Sequence, residues 1–98
     1  MLPGLTDREI SLLREAASRQ PRVRGVFLYG SRARGTHRPG SDVDLALRGD
    51  VTPAQARDFC DALNQETDFP YLVDAVAYDA LPDGAFKREI TAQMMPLA

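Results

Sequence analysis

Residues 42–48, DVDLALR, place two aspartates one position apart in an otherwise apolar run. This alternation is typical of a β-strand, in which side chains two residues apart project from the same face of the sheet. The apolar residues would therefore face a core, while Asp42 and Asp44 would project together from the opposite face. Because neighbouring carboxylates repel each other, we expect a cation near this polar face.

Helical and strand patterns alternate on either side of this strand. Thr6 and Glu9 have the spacing of a capping box at the start of an amphipathic helix, and Thr52 precedes Pro53 as a cap precedes a first turn. Runs rich in β-branched and aromatic residues indicate further strands. The predicted elements, in chain order, are a helix at 6–19, a strand at 23–29, one helical turn within 31–35, a strand at 42–48, a helix at 53–67, a strand at 71–78 and a last helix from 82 or 84 to 94.

This order of elements indicates an α/β fold, with a small sheet flanked by helices. The chain has 98 residues, 44% of them apolar, and is expected to form one domain over residues 1–98. The last helix is expected to point Phe86 and Ile90 inward and to fray at its end. Between the first two strands, Pro39 and Gly40 predict a turn.

Charge is distributed unevenly along the chain. Residues 1–48 contain nine arginines and five acidic residues, whereas residues 49–98 contain three basic and nine acidic residues. The positive half suits an anionic ligand such as a phosphate. The net charge of −2 argues against a general nucleic-acid binder, which is usually basic.

Cysteine content and hydropathy exclude further classes of protein. The single cysteine, Cys60, excludes an internal disulfide and a cysteine zinc site. No apolar run approaches the ~18 residues of a transmembrane helix, and the first residues lack the basic start and apolar stretch of a signal peptide. The expected localisation is therefore cytoplasmic, with no membrane partner.

The two strand aspartates have the chemistry of a Mg²⁺ site, because this ion prefers oxygen ligands and is held by one or two carboxylates plus substrate phosphates. Asp74, inside the apolar run of the third strand, is the candidate for a third carboxylate. Gly30 and Ser31, at the end of the first strand, would bring backbone N–H groups and a hydroxyl close to a phosphate. Arg32 and Arg34 would add positive charge. Together these residues indicate nucleoside triphosphate chemistry.

Structural roles are the alternative for several of these residues. Asp74 would instead pair with an arginine such as Arg24, and the two strand aspartates would form a solvated face. Ser41 would either brace the turn before Asp42 or touch phosphate.

The sequence fails three rival motifs. The run GSRARGTH has glycines at the spacing of a P-loop, but Thr36 and His37 stand where lysine and a hydroxyl residue are needed. An EF-hand loop starting at Asp42 would need a ligand at Ala46 and a glycine at Leu47. The dinucleotide-binding fingerprint G-x-G-x-x-G is absent.

The residues Gly30-Ser31, followed after ten positions by Asp42-Val43-Asp44, resemble the signature of the polymerase-beta-like nucleotidyltransferases. The form YGSRARG…SDVDLAL is most similar to the minimal nucleotidyltransferases, and the resemblance spans essentially the whole chain. It implies a small mixed β-sheet flanked by helices.

The resemblance also implies roles for individual residues. Gly30 and Ser31 would hold the triphosphate of ATP, and Arg34 is favoured over Arg32 as a further phosphate contact. The two strand aspartates would coordinate one or two Mg²⁺ ions. Asp74 would be the third carboxylate, helping to activate the acceptor hydroxyl.

Partners follow from the same resemblance. Many minimal nucleotidyltransferases are the antitoxin half of a pair with a HEPN-domain RNase toxin, and transfer AMP to a toxin tyrosine. The implied activity is Mg²⁺-dependent transfer of AMP from ATP to a HEPN toxin. Two alternatives remain open, namely a catalytically weak module that neutralises its partner by contact, and a small-molecule nucleotidyltransferase. The presence of all three acids favours an enzyme.

Overall fold

The computed structural model describes residues 4–38 and 40–97, which form a four-stranded sheet with helices packed on it. No helix in these residues is long and apolar enough to cross a membrane. The elements are α1 (Asp7–Ser18), β1 (Val23–Tyr29), α2 (Ser31–Arg34), β2 (Val43–Gly49), α3 (Pro53–Glu66), β3 (Val73–Ala77), a 3₁₀ turn (Tyr78–Ala80), α4 (Ala85–Gln93) and β4 (Met95–Pro96).

The sheet is mixed, and its strands have the order β3-β2-β1-β4. β1 runs antiparallel to both of its neighbours, whereas β2 and β3 are parallel. A parallel pair needs a long crossover connection, and α3 supplies it. The small mixed sheet flanked by helices is therefore confirmed.

Both long helices begin at reciprocal caps, each on a threonine that the sequence predicts as a cap. The Thr6 hydroxyl accepts the Glu9 N–H at 3.1 Å, and the Glu9 carboxylate accepts the Thr6 N–H at 2.9 Å. Thr52 and Gln55 repeat this exchange at the start of α3, at 3.1 and 3.0 Å. Each cap satisfies backbone N–H groups that have no partner within the helix, which fixes where the helix starts.

The two faces of β2 differ, as its alternating sequence predicts. One face packs with α1 and α3 in the main core. The largest fully buried members of that core are Leu13, Leu28, Val43, Leu45, Leu47, Phe59 and Leu63. The opposite face carries Asp44 at its start and then joins a smaller cluster with α4. That cluster consists of Tyr29, Ala46, Tyr78 and Ile90.

Phe86 corrects the prediction for the last helix. Ile90 is buried as expected, but the Phe86 side chain is 52% exposed. The two residues are one helical turn apart and lie on the same face of α4. Phe86 contacts Tyr29 edge-on, with 6.4 Å between the ring centroids. This contact lies at the polar end of β2 and not over the apolar core, so Phe86 stays partly exposed.

The C-terminal end of the described chain is ordered by pairing, so the expectation of fraying is wrong. Residues Met95–Pro96 pair with β1, and the Leu97 N–H donates to the Val26 carbonyl at 2.8 Å. The Leu97 side chain is buried in the main core, and its carbonyl accepts the Arg14 Nε–H at 2.7 Å. Burial of one leucine thus anchors a strand too short to be recognised by its pattern.

Arg32 ties the segment between β1 and β2 to the rest of the fold. Its guanidinium is buried, donates twice to the Ser41 carbonyl at 3.2 and 2.7 Å, and also donates to the Gly4 carbonyl. It lies 4.0 Å from the centre of the Tyr71 ring. Arg32 is therefore a structural residue. Gly40 has a φ of +83°, as a turn requires, and Pro39 lies outside the described residues.

The Arg32→Lys variant is expected to lose about 2–3 kcal/mol of unfolding free energy, because one ammonium cannot satisfy carbonyls that a planar guanidinium reaches together. For a domain of this size the melting temperature should fall by roughly 10–20 °C. Arg34→Lys, the same change two residues away on an exposed side chain, is the control. Thermal and urea unfolding measure both, and equal stability of the two variants would contradict the anchoring role.

Candidate active site

Tyr29, Asp44 and Asp74 lie side by side on three neighbouring strands. In the register of the sheet, Asp44 is opposite Tyr29 on β1 and opposite Asp74 on β3. Residues paired in this way project from the same face, and neighbouring strands are about 4.8 Å apart. Two of the predicted carboxylates therefore share one end of the sheet.

The charges in this row are coupled. The pKa of Asp44 is raised above its ordinary value, first by burial, then by the nearby charges of Asp74 and Asp42, while Arg34 acts in the opposite direction. The pKa of the Tyr29 hydroxyl is raised too, mainly by burial and then by the carboxylates beside it. Negative charge thus exceeds positive charge at this end of the sheet, which favours a bound cation.

Gly30 brings the backbone directly against this row. It precedes α2 with φ +78° and ψ −155°, a conformation essentially restricted to glycine. A Cβ atom at this position would overlap the Asp44 carboxylate. Ser31 follows as the first residue of α2, and the Gly30 carbonyl accepts the Arg34 N–H at 3.1 Å. The Gly-Ser turn and the Asp44 carboxylate therefore form one site.

Two residues of α4 that the sequence pattern did not identify reach the same turn. The Gly30 N–H donates to Gln93 Oε1 at 3.1 Å, and Gln93 Nε2 donates to the Glu89 carboxylate at 3.4 Å. Glu89 in turn lies 3.8 Å from the Arg34 guanidinium. The only local signal was that Glu89 and Gln93 are four residues apart on a helix, because their contact with Gly30 depends on how α4 crosses β1.

Asp42 and Ser41 lie just before β2. Asp42 is exposed, and its charge contributes to the raised pKa of Asp44. The Ser41 hydroxyl accepts the Arg38 N–H at 2.9 Å, and its carbonyl accepts Arg32. These contacts are the bracing role expected of Ser41, and its contact with phosphate stays a prediction.

The alternative of an ion pair between Asp74 and Arg24 is wrong. Arg24 lies where β1 begins, beside Gly49 and Asp79. Asp74 is aligned with Asp44 at the opposite end of the sheet. The antiparallel course of β1 therefore separates the two residues by the length of the strand.

The donor set fits Mg²⁺ when the nucleotide supplies the remaining ligands. Within the described residues, no three His, Cys, Asp or Glu side chains are arranged to hold a metal ion by themselves. Proteins commonly bind Mg²⁺ through one or two carboxylates, with substrate phosphates and water completing the octahedron. Asp44, next to the Gly30 backbone, suits such a shared site. The full set of Asp42, Asp44 and Asp74 as metal ligands stays a prediction.

The Asp44→Asn variant is expected to melt at a higher temperature than the wild type at pH 7 without metal. A raised pKa means that the folded protein holds the Asp44 proton more tightly, so stability falls as pH rises above 3.8. Asparagine removes that loss, and its advantage should disappear at pH values below 3.8, where the wild-type carboxyl is protonated in both states.

Melting temperatures at several pH values test this expectation. Asp58→Asn, at an exposed position on α3, is the matched control. An Asp44→Asn advantage that is the same at pH 3 and pH 7 would contradict the electrostatic cause.

The chain matches the family model of the nucleotidyltransferase domain over residues 10–96. No curated protein matches it. Among solved structures, a toxin–antitoxin with AMP-PNP is similar over 96% of this chain and 73% of that chain, with a TM-score of 0.71 and 21% identity. Two mutants of the toxin–antitoxin MntA-HpeT have TM-scores of 0.68, with 19% and 20% identity. They are similar over 96% and 94% of this chain and 73% and 71% of those chains.

The structural likeness shows a shared fold at low sequence identity. The family match goes further, because it covers most of the chain and includes the Gly30-Ser31 turn together with Asp42, Asp44 and Asp74. On that match, the chain belongs to the family of nucleotidyltransferase domains.

Proposed function

We propose that this protein is a Mg²⁺-dependent nucleotidyltransferase that moves AMP from ATP to a tyrosine hydroxyl of a HEPN toxin, and so acts as the antitoxin of a toxin–antitoxin pair. The observation that carries the proposal is the contact of the Gly30 turn with Asp44, whose position on β2 is aligned with that of Asp74 on β3. A turn suited to binding phosphate there lies directly beside a row of acids suited to binding a cation.

Each part of the site has a defined task in this reaction. The Ser31 hydroxyl would hold the triphosphate, Gly30 would allow it to approach the backbone closely, and Arg34 would neutralise part of its charge. Mg²⁺, when bound by Asp42 and Asp44, would supply further charge neutralisation at the phosphates. Asp74 would accept the proton of the acceptor hydroxyl. In-line displacement at the α-phosphate needs mainly positioning and electrostatic stabilisation.

A toxin is the proposed acceptor for two reasons. Solved structures with the same fold include toxin–antitoxin proteins, one of them with AMP-PNP. In addition, the described residues are largely taken up by the sheet and its helices. An acceptor supplied by a second protein would complete the site without a further domain of this chain.

Transfer of label from ATP tests the proposal. The purified protein is mixed with Mg²⁺ and the product of the adjacent gene as the candidate toxin, with α-labelled and γ-labelled ATP in parallel. Label on the toxin from the α-position alone is the expected result. Label from the γ-position would indicate a kinase, and labelling of an aminoglycoside but not of the toxin would indicate a small-molecule transferase.

A further inference from the structure

A groove of 440 Å³ separates α3 from the outer edge of β3. One wall is a single face of α3, because its residues recur at spacings of three and four. They are Pro53, Ala56, Arg57, Cys60, Asp61 and Asn64. The other wall is β3 itself, and the groove reaches Asp74. It is therefore continuous with the site proposed to receive the acceptor hydroxyl.

β3 is the end strand of the sheet, and in the part of the chain that the structure describes no strand pairs with its outer side. The Val43 N–H donates to the Leu72 carbonyl at 2.8 Å, which fixes which β3 residues turn their backbone groups toward β2. Backbone groups of successive residues point to opposite sides of a strand. The N–H and C=O groups of Val73, Ala75 and Ala77 therefore point into the groove.

Asn64 closes this edge at one position. Its side-chain oxygen accepts the Val73 N–H at 2.9 Å, and its nitrogen donates to the Val73 carbonyl at 3.2 Å. The carboxamide thus occupies both outward groups of Val73 as a neighbouring strand would. At Ala75 the N–H instead faces the Cys60 thiol, which is a weak acceptor. In the described residues, the outward groups of Ala75 and Ala77 line the groove without a strong side-chain partner, so an added strand would pair from Ala75 onward.

The row Tyr29–Asp44–Asp74 shows where a residue of an added strand would lie relative to the site. A strand paired with Ala75 and Ala77 would place its next residue opposite Asp74, about 4.8 Å away and on the same face. That residue would be the fourth member of the row. Leu72, 64% exposed and two residues before Asp74, offers an apolar contact for a protein that docks here.

We propose that this groove binds an extended segment of the acceptor protein, which pairs with β3 as an added strand and places its hydroxyl-bearing residue beside Asp74. The proposal rests on the proposed function and names how its acceptor is held. Strand addition of this kind gives affinity through backbone hydrogen bonds and specificity through alternate side chains. Asn64 would set the register by blocking pairing at Val73.

In the proposed transfer beside Asp74, one bond to the α-phosphorus forms and one breaks. The acceptor oxygen forms a bond to the α-phosphorus of ATP, and the bond from that phosphorus to the oxygen bridging to the β-phosphate breaks. Pyrophosphate carries away the electron pair. The hydroxyl proton passes to the Asp74 carboxylate and from there to solvent.

Filling the groove is the first test. Asp61→Trp places a large side chain in the groove from an exposed position on α3, while Asp58→Trp makes the same change on α3 outside it. We expect Asp61→Trp to raise the KM for the toxin at least tenfold with little change in the KM for ATP. Asp58→Trp should behave as wild type. Equal toxin KM values for the two variants would overturn the proposal.

A binding measurement separates this proposal from the proposed function, because it needs no catalysis. The ¹⁵N-labelled protein is titrated with the unlabelled product of the adjacent gene, the candidate toxin. Shifts of the Ala75 and Ala77 amides, absent in Asp61→Trp, support strand addition even if no AMP is transferred. Toxin binding that leaves these amides unchanged, absence of toxin binding, or pairing of β3 with a second copy of this chain would overturn it.

Discussion

The Asp44→Asn variant loses nucleotidyl transfer by roughly three orders of magnitude while the protein stays folded, if the proposed function is correct. Asparagine keeps the shape of the side chain but removes the charge that would hold a cation next to the Gly30 turn. Losing roughly 4 kcal/mol of transition-state stabilisation corresponds to roughly a thousandfold fall in rate. The measurement is the rate of label transfer from α-labelled ATP to the toxin, with Asp58→Asn as the surface control.

We expect the melting temperature of Asp44→Asn to change in the opposite direction to its transfer rate. The same substitution should raise the melting temperature at pH 7, because it removes a carboxylate whose pKa is raised by burial and by Asp74. Misfolding would lower both the melting temperature and the transfer rate. A gain in stability with a loss of transfer therefore identifies a functional role for Asp44. Added Mg²⁺ with ATP should stabilise the wild type more than the variant.

Two outcomes would contradict the enzyme proposal. Transfer by Asp44→Asn at the wild-type rate would exclude this carboxylate from the chemistry. An Asp44→Asn variant without transfer that still neutralises the toxin fully would show that contact, rather than AMP transfer, is the mechanism of neutralisation.

Features decided within a few residues were predicted well from the sequence. The cap at Thr6 and Glu9 involves groups three residues apart, and it fixes the start of α1 where expected. The alternation in residues 42–48 separates the core face of β2 from the face of Asp44. Both the cap spacing and the strand alternation follow from local backbone geometry, so they can be recognised without knowledge of tertiary contacts.

Features that depend on chain crossings were not predicted. β4 has two residues, which is too short for a period, and its pairing follows from α4 ending beside β1 and from burial of Leu97. Gln93 reaches Gly30 only because α4 lies over the end of β1. The exposure of Phe86 has the same origin, since the helix pattern fixes its face but not the surface opposite.

The protein itself supplies only part of the positive charge expected beside the strand aspartates. Arg34 lowers the pKa of Asp44, but its side chain is about half exposed and is shared with Glu89. Three other influences on Asp44 act in the opposite direction. One half-exposed arginine is weak compensation in water, where exposed ion pairs contribute little. This imbalance is why a bound cation, rather than a permanent ion pair, suits the row.

The Gly30→Ala variant is expected to lose at least 100-fold in transfer and roughly 2–3 kcal/mol in stability, because it combines two conflicts. The backbone at φ +78° and ψ −155° is strained for any residue with a Cβ atom. The added methyl group also overlaps the Asp44 carboxylate, which must rotate away from the Gly30-Ser31 turn.

Gly35→Ala separates these two conflicts. Gly35, at the other end of α2, has φ +75°, and a Cβ atom there would meet no other atom within 4 Å. It should therefore cost roughly 1–2 kcal/mol of backbone strain and leave transfer nearly unchanged. Urea unfolding gives the stabilities, and label transfer at saturating ATP gives the rates. A Gly30→Ala rate within twofold of the Gly35→Ala rate would show that close contact between the Gly30 backbone and Asp44 is not needed for the reaction.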